Sequence, residues 1–170
     1  LICMLVFLCT TQVNATHVAG HEITYTCLGA NQYKVQLVAY ADCSGIALGT
    51  NATVNFGSPT CTNFSTTLNL EAGYPTEITP LCATSTSFCN GGNVSGINQY
   101  VYSNVVTLPN SCSDWQLSWT NCCRPGSITN IANPFSNSLY AYAELDNTLS
   151  TCNLKTKINV KIRKYLECVK

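Results

Sequence analysis

The stretch Gln32-Tyr33-Lys34-Val35-Gln36-Leu37-Val38-Ala39-Tyr40 decides how the rest of the chain is read. Tyr33, Val35, Leu37 and Ala39 share one face of this run, a repeat of two that makes one apolar side only if the backbone is extended. The same alternation recurs on both sides of it. Phe64, Thr66, Leu68 and Leu70 share a face, and so do Leu139, Ala141, Ala143 and Leu145. Further strands are expected at Glu22–Leu28, Thr53–Phe56, Tyr100–Leu108, Trp115–Thr120 and Lys157–Ile162. Between them stand Gly29-Ala30-Asn31, Gly57-Ser58-Pro59, Gly73-Tyr74-Pro75, Asn90-Gly91-Gly92, Pro109-Asn110 and Pro125-Gly126, all turn formers.

Composition supports the same reading. Asn, Thr and Ser supply 18, 21 and 14 of the 170 residues, and all three are poor helix formers because of local side-chain hydrogen bonding or β-branching. No window combines apolar residues at i, i+3, i+4 and i+7 with a cap. The expected fold is therefore all-β, an immunoglobulin-like β-sandwich of seven or eight short strands stapled by disulfides, with a β-barrel as the alternative. The polar stretch Pro80–Gln99 reads as a loop, too long to be left untied.

The ends differ from this body. The first nine residues are all apolar and Val13-Asn14-Ala15 follows with small residues where a signal peptidase reads, so 1–15 is expected to be a signal peptide lacking its own start. Nine apolar residues are too few to span about 30 Å of hydrocarbon. From Lys155 to Lys170, six basic residues stand against one carboxylate, whereas Thr16 to Cys152 has two basic residues and seven carboxylates. The net zero charge is thus a cancellation of +5 and −5. Residues 16–153 are expected to form the β module. Residues 154–170 are expected to be either a basic edge strand or a truncated or frameshifted reading of the gene. A neutral chain with only 9% charged residues is not a polyelectrolyte, and no nucleic-acid partner is expected.

Ten cysteines follow the expected cleavage point: Cys27, Cys43, Cys61, Cys82, Cys89, Cys112, Cys122, Cys123, Cys152 and Cys168. An even number in an exported chain reads as a disulfide framework of up to five bridges. Cys82–Cys89 is expected to staple the long loop and Cys27–Cys43 to face each other across a hairpin. Adjacent Cα atoms lie near 3.8 Å, below the usual disulfide range, so Cys122 and Cys123 are each expected to bond elsewhere. No C-x-x-C occurs, and the two His residues, His17 and His21, stand near the cleavage point, so no metal or other cofactor is expected. The His pair is read as two exposed positions on one strand face.

Catalytic signals are sparse: no G-x-S-x-G, no phosphate-cradling glycine loop and no H-E-x-x-H. Asp42 and Asp114 sit beside Cys43 and Trp115, where capping or turn roles are expected. A non-enzymatic role follows. The aromatics offer a different possibility. Trp115 and Trp119 share a strand face, as do Tyr140 and Tyr142, and together they could present a ligand-facing platform to a glycan, although aromatics also fill sandwich cores. Four N-x-S/T sequons, at Asn14, Asn51, Asn63 and Asn93, matter only in a eukaryotic secretory path.

Seven segments taken together carry a resemblance. They are T-H-V-A-G-H-E-I-T-Y-T-C-L-G-A-N-Q-Y from Thr16, A-Y-A-D-C-S-G from Ala39, P-T-E-I-T-P-L-C from Pro75, F-C-N-G-G from Phe88, Q-Y-V-Y from Gln99, C-S-D-W-Q-L-S-W-T-N-C-C-R from Cys112 and S-L-Y-A-Y-A-E-L-D-N-T from Ser138. From Thr16 to Asn153 the chain resembles the N-terminal module of large Bacteroidota cell-surface proteins. Such proteins carry PKD-like or other immunoglobulin-like repeats and a C-terminal type IX secretion, or gliding motility-associated, sorting domain. The resemblance implies a secreted or outer-surface, adhesin-like protein with a structural or adhesive role. Its implied partners are further domains of the same protein and extracellular polysaccharide or another surface, with the membrane met only during export. The chain departs from the family at His21, where Gly is usual, at Ala41, where Arg is common, and in the basic tail that replaces Pro-rich text after Cys152.

Overall fold

A computed structural model describes residues 17–126, 128–148 and 152, and the backbone of 157–158. The expected signal peptide and most of the basic tail, Cys168 included, lie outside the described residues. The chain is all-β: β1 (Val18–Gly29), β2 (Gln32–Asp42), β3 (Asn51–Gly57), β4 (Phe64–Leu70), β5 (Thr76–Glu77), β6 (Ile97–Thr107), β7 (Trp115–Cys122), β8 (Ser138–Leu145) and β9 (Lys157–Ile158). Every strand expected from alternation between Glu22 and Leu145 is present. The short β5 was not foreseen, because two residues are too few to show a period. Of the expected run Lys157–Ile162, only β9 is described.

The named strands all pair antiparallel, in the order β1-β2-β6-β4-β3-β7-β8-β9, with β5 also on β6. Between the longer strands two ladders are short: β4 meets β6 only at Asn69↔Ser103 and Leu70↔Tyr102, and β3 meets β7 only from Asn55 to Gly57. There the sheet turns a corner and curls back, as strands do when one sheet supplies both layers of a sandwich or a barrel wall. β1 thereby comes to lie against β7 and β8. The Val18 N–H donates to Cys123 O at 3.1 Å and the Tyr25 hydroxyl to Glu144 O at 2.7 Å, so the sheet is nearly closed.

The interior is the set that alternation selects. Tyr33, Val35, Leu37 and Ala39 are fully buried, and from the facing strands come Val54, Phe56, Leu68, Trp115, Leu117, Ala143 and Leu145. Phe64 stacks on Phe56 with centroids 4.5 Å apart and meets the edge of Trp115 at 5.6 Å. The β1–β2 hairpin turns through Ala30 and Asn31, both with positive φ (49° and 59°), as a two-residue type I′ connection requires.

Among the described residues, three long-range disulfides tie this frame. Cys27–Cys152 joins the end of β1 to the segment after β8, Cys43–Cys89 joins β2 to a 3-10 turn (Phe88–Asn90), and Cys61–Cys112 joins the β3–β4 connection to the approach to β7. Cys82 is disulfide-bonded as well. The expected Cys27–Cys43 bridge is not formed. In an antiparallel hairpin the end of the first strand faces the start of the second, so Cys27, paired with Tyr33, is at the opposite end from Cys43. Nor is Cys82–Cys89 formed. The long loop folds back on the end of β2, where the Cys43 N–H donates to Gly96 O at 2.9 Å, and this brings Cys89 to Cys43. Glu77 ties the same loop by accepting from Ser87 and Asn90. Cys122 and Cys123, expected to bridge to other cysteines, are instead joined in a disulfide to each other, with their Cα atoms 3.3 Å apart.

Candidate functional site

Beyond the turn of the sheet, β4, β3, β7 and β8 lie side by side with their apolar residues turned inward. What they turn outward is Ser65 and Thr67, Thr53 and Asn55, Gln116 and Ser118, and Tyr140, Tyr142 and Glu144. Register sets them in rows, because residues directly opposite each other point to the same side. Ser65 faces Asn55, Asn55 faces Ser118, and Ser118 faces Tyr142. A cross-strand row of hydroxyl and amide groups therefore ends on an aromatic ring.

Where β3 and β7 part after three residues, a shallow groove of about 350 Å³ opens, bordered by Asn55, Gly57, Asn63, Ser65, Gln116 and Ser118. Its polar groups are held in place. The Ser58 N–H donates to Asn63 Oδ1 at 2.7 Å, and the Tyr140 hydroxyl donates to Gln116 Oε1 at 3.0 Å. Tyr140 is 56% exposed and its ring centroid lies 6.0 Å from that of Tyr142. At the base of this layer Asp114 accepts from Ser58 and Thr60 hydroxyls at 2.6 and 3.0 Å and fixes the β3–β4 turn.

The four aromatics singled out from the sequence are thus divided by the sheet. Trp115 and Trp119 do share a face, but it is the inner one: they are 0% and 7% exposed and cannot meet a ligand. Two large apolar rings on an otherwise apolar alternation (Trp115, Leu117, Trp119) gain more from burial than from display. Tyr140 and Tyr142 stand on the outer face. None of the groove residues is marked by the sequence as ligand-facing: Asn63 stands out only as a sequon and Gly57 only as a turn former, and isolated Asn, Gln and Ser residues carry no spacing signal.

The His pair is also separated. A bulge at Ala19, where Val18 pairs with Ala41 and Gly20 with Tyr40, breaks the alternation that would have aligned His17 with His21. His21 is buried rather than exposed, at 4%, edge-on to Trp119 with centroids 4.7 Å apart. Burial lowers its pKa to about 4, partly offset by the Trp119 backbone and reinforced by nearby Arg124. His17 instead packs beside Phe135 and against Gly45. Among the described residues no three His, Cys, Asp or Glu side chains converge as a metal site would need. Asp42 serves its own turn, accepting from the Ser44 N–H and hydroxyl at 2.8 Å.

No family model, curated protein or solved structure matches the chain. The several disulfides fit an oxidising, extracytoplasmic compartment, and among the described residues no helix is long and apolar enough to cross a membrane.

Proposed function

We propose that the chain is a non-enzymatic, extracellular module of a surface adhesin-like protein, with a structural or adhesive part in attachment or gliding-associated surface function. The observation that supports this reading most is the broad outer face of β4, β3, β7 and β8, whose hydroxyl and amide groups are set in register on a disulfide-braced sheet. A rigid face loses little conformational freedom on contact, which favours adhesion by many weak polar bonds. Deletion of the gene is expected to abolish attachment of the producing cells to glass, and attachment unchanged by the deletion would reject the reading.

A second reading, a carbohydrate-binding module, is favoured by one specific feature: the exposed Tyr140 beside Tyr142 at the end of the polar row. It predicts binding on a glycan array. An array without binding, with the oxidised chain shown to be folded, would remove it.

A further inference from the structure

We propose that the groove between β3, β4 and β7 and the Tyr140–Tyr142 pair form one continuous site for a segment of neutral, pyranose-based polysaccharide. This rests on the carbohydrate reading above and adds the place, the contacts and the class of polymer.

Gln116 connects the two parts. It borders the groove, and because its Oε1 accepts from the Tyr140 hydroxyl, its two Nε2 hydrogens are left for a ligand. Asn63 is set in the same way: its Oδ1 accepts from the Ser58 N–H, and its NH₂ remains to donate. Two fixed amide donors, with the hydroxyls of Ser65 and Ser118 beside them, suit a ligand rich in hydroxyl and ether oxygens. The tyrosines supply the complementary part. A pyranose has apolar C–H faces, and two rings 6.0 Å apart along β8 offer successive stacking surfaces next to the donors.

At about 350 Å³ the groove is shallow and open, a shape that suits a polymer lying across the sheet rather than an enclosed small molecule. Gly57 keeps the groove open. A Cβ there would meet nothing nearer than Gln116 O at 4.0 Å, so a side chain would enter free space rather than the core. The described side chains of this face include one carboxylate, Glu144, and no cation, which disfavours a uronic-acid polymer.

The test is affinity electrophoresis of the oxidised full chain through gels containing hydroxyethyl cellulose, xylan or galactomannan, with alginate as the acidic contrast. Retardation is expected in at least one neutral polymer. Tyr140→Ala and Tyr142→Ala should each weaken it about tenfold, and Gly57→Val should weaken it at least as much, with urea midpoints near wild type. Tyr140 is exposed, so its truncation keeps the test informative even if Gly57→Val disturbs β3. Retardation that survives all three substitutions overturns the site but leaves the carbohydrate reading standing. Retardation by alginate alone overturns the neutral class. No retardation by any polymer overturns both the site and the reading it rests on.

Discussion

The two outer faces of this sheet are built from the same kinds of residue and use them in opposite ways. On β1, β2 and β6, polar side chains are spent on one another. Lys34 pairs with Glu71 at 3.1 Å, the Ser103 hydroxyl donates to the same carboxylate at 2.7 Å, and the Tyr40 hydroxyl donates to Glu22 at 3.1 Å. Val38 and Val101, directly opposite each other, are buried even on this outer side. On β4, β3, β7 and β8 the polar groups are held by a few bonds at the edges of a groove and otherwise face outward. A face whose donors and acceptors already satisfy each other has little to offer a partner. A face whose groups are oriented but unspent has more.

This contrast can be broken at several points. The largest effect is expected from removing the bridge that braces the open face. Cys61→Ser with Cys112→Ser releases a cross-link of sequence separation 51, worth about 4 kcal/mol in chain entropy, and should lower the urea midpoint accordingly. A midpoint that stays put would mean that Asp114 and its hydroxyl donors hold the β3–β4 turn unaided.

Next comes acid, acting where the two layers meet. The pKa of His21 is lowered in the folded state from 6.5 to about 4, so the unfolded chain takes the proton first. Stability from this group is full above about pH 6.5, falls as pH drops toward 4, and falls no further below. The loss is on the order of 3 kcal/mol. His21→Phe should flatten that limb in denaturation curves run between pH 7 and 4.

The closed face should respond more modestly. Glu71→Ala loses the Lys34 pair and the Ser103 bond, about 1 kcal/mol because the pair is partly exposed. The Ser103 and Lys34 hydrogen bonds lower the Glu71 pKa, so its contribution is present above the ordinary carboxylate range and is lost as pH falls below it. Glu71→Gln should remove that acid-side dependence from a pH series of denaturation midpoints. The smallest effect belongs to the open face. Ser118→Ala should change stability by no more than about 0.5 kcal/mol in the same assay, and a larger loss would mean that this face, too, is committed to holding the fold.

Much of the fold is legible in the residues alone. The alternation at Tyr33–Ala39 and Leu139–Leu145 placed strands and buried faces, because a period of two is a local property of the backbone. The site was legible only in part. Tyr140 and Tyr142 can be named as a pair, and the alternation of Trp115, Leu117 and Trp119 with Gln116, Ser118 and Thr120 already marks the tryptophan face as the inner one, so reading those rings as ligand-facing went against the same pattern that places the core of β2. The His pair was misread because one extra residue, Ala19, reverses every alternation beyond it, and a bulge leaves no mark in composition.

By itself, then, the sequence determined the all-β class, the longer strands of the body, their turns and the oxidised state of most cysteines, each through short-range pattern or chemistry. Only the tertiary structure decided which cysteines meet and where amides from β7 and from the turn before β4 come together beside a tyrosine. Those outcomes depend on register between strands far apart in the chain and on the curl that brings β1 to β8. Such pairings are set by how all the strands pack at once, and no single stretch of residues encodes them.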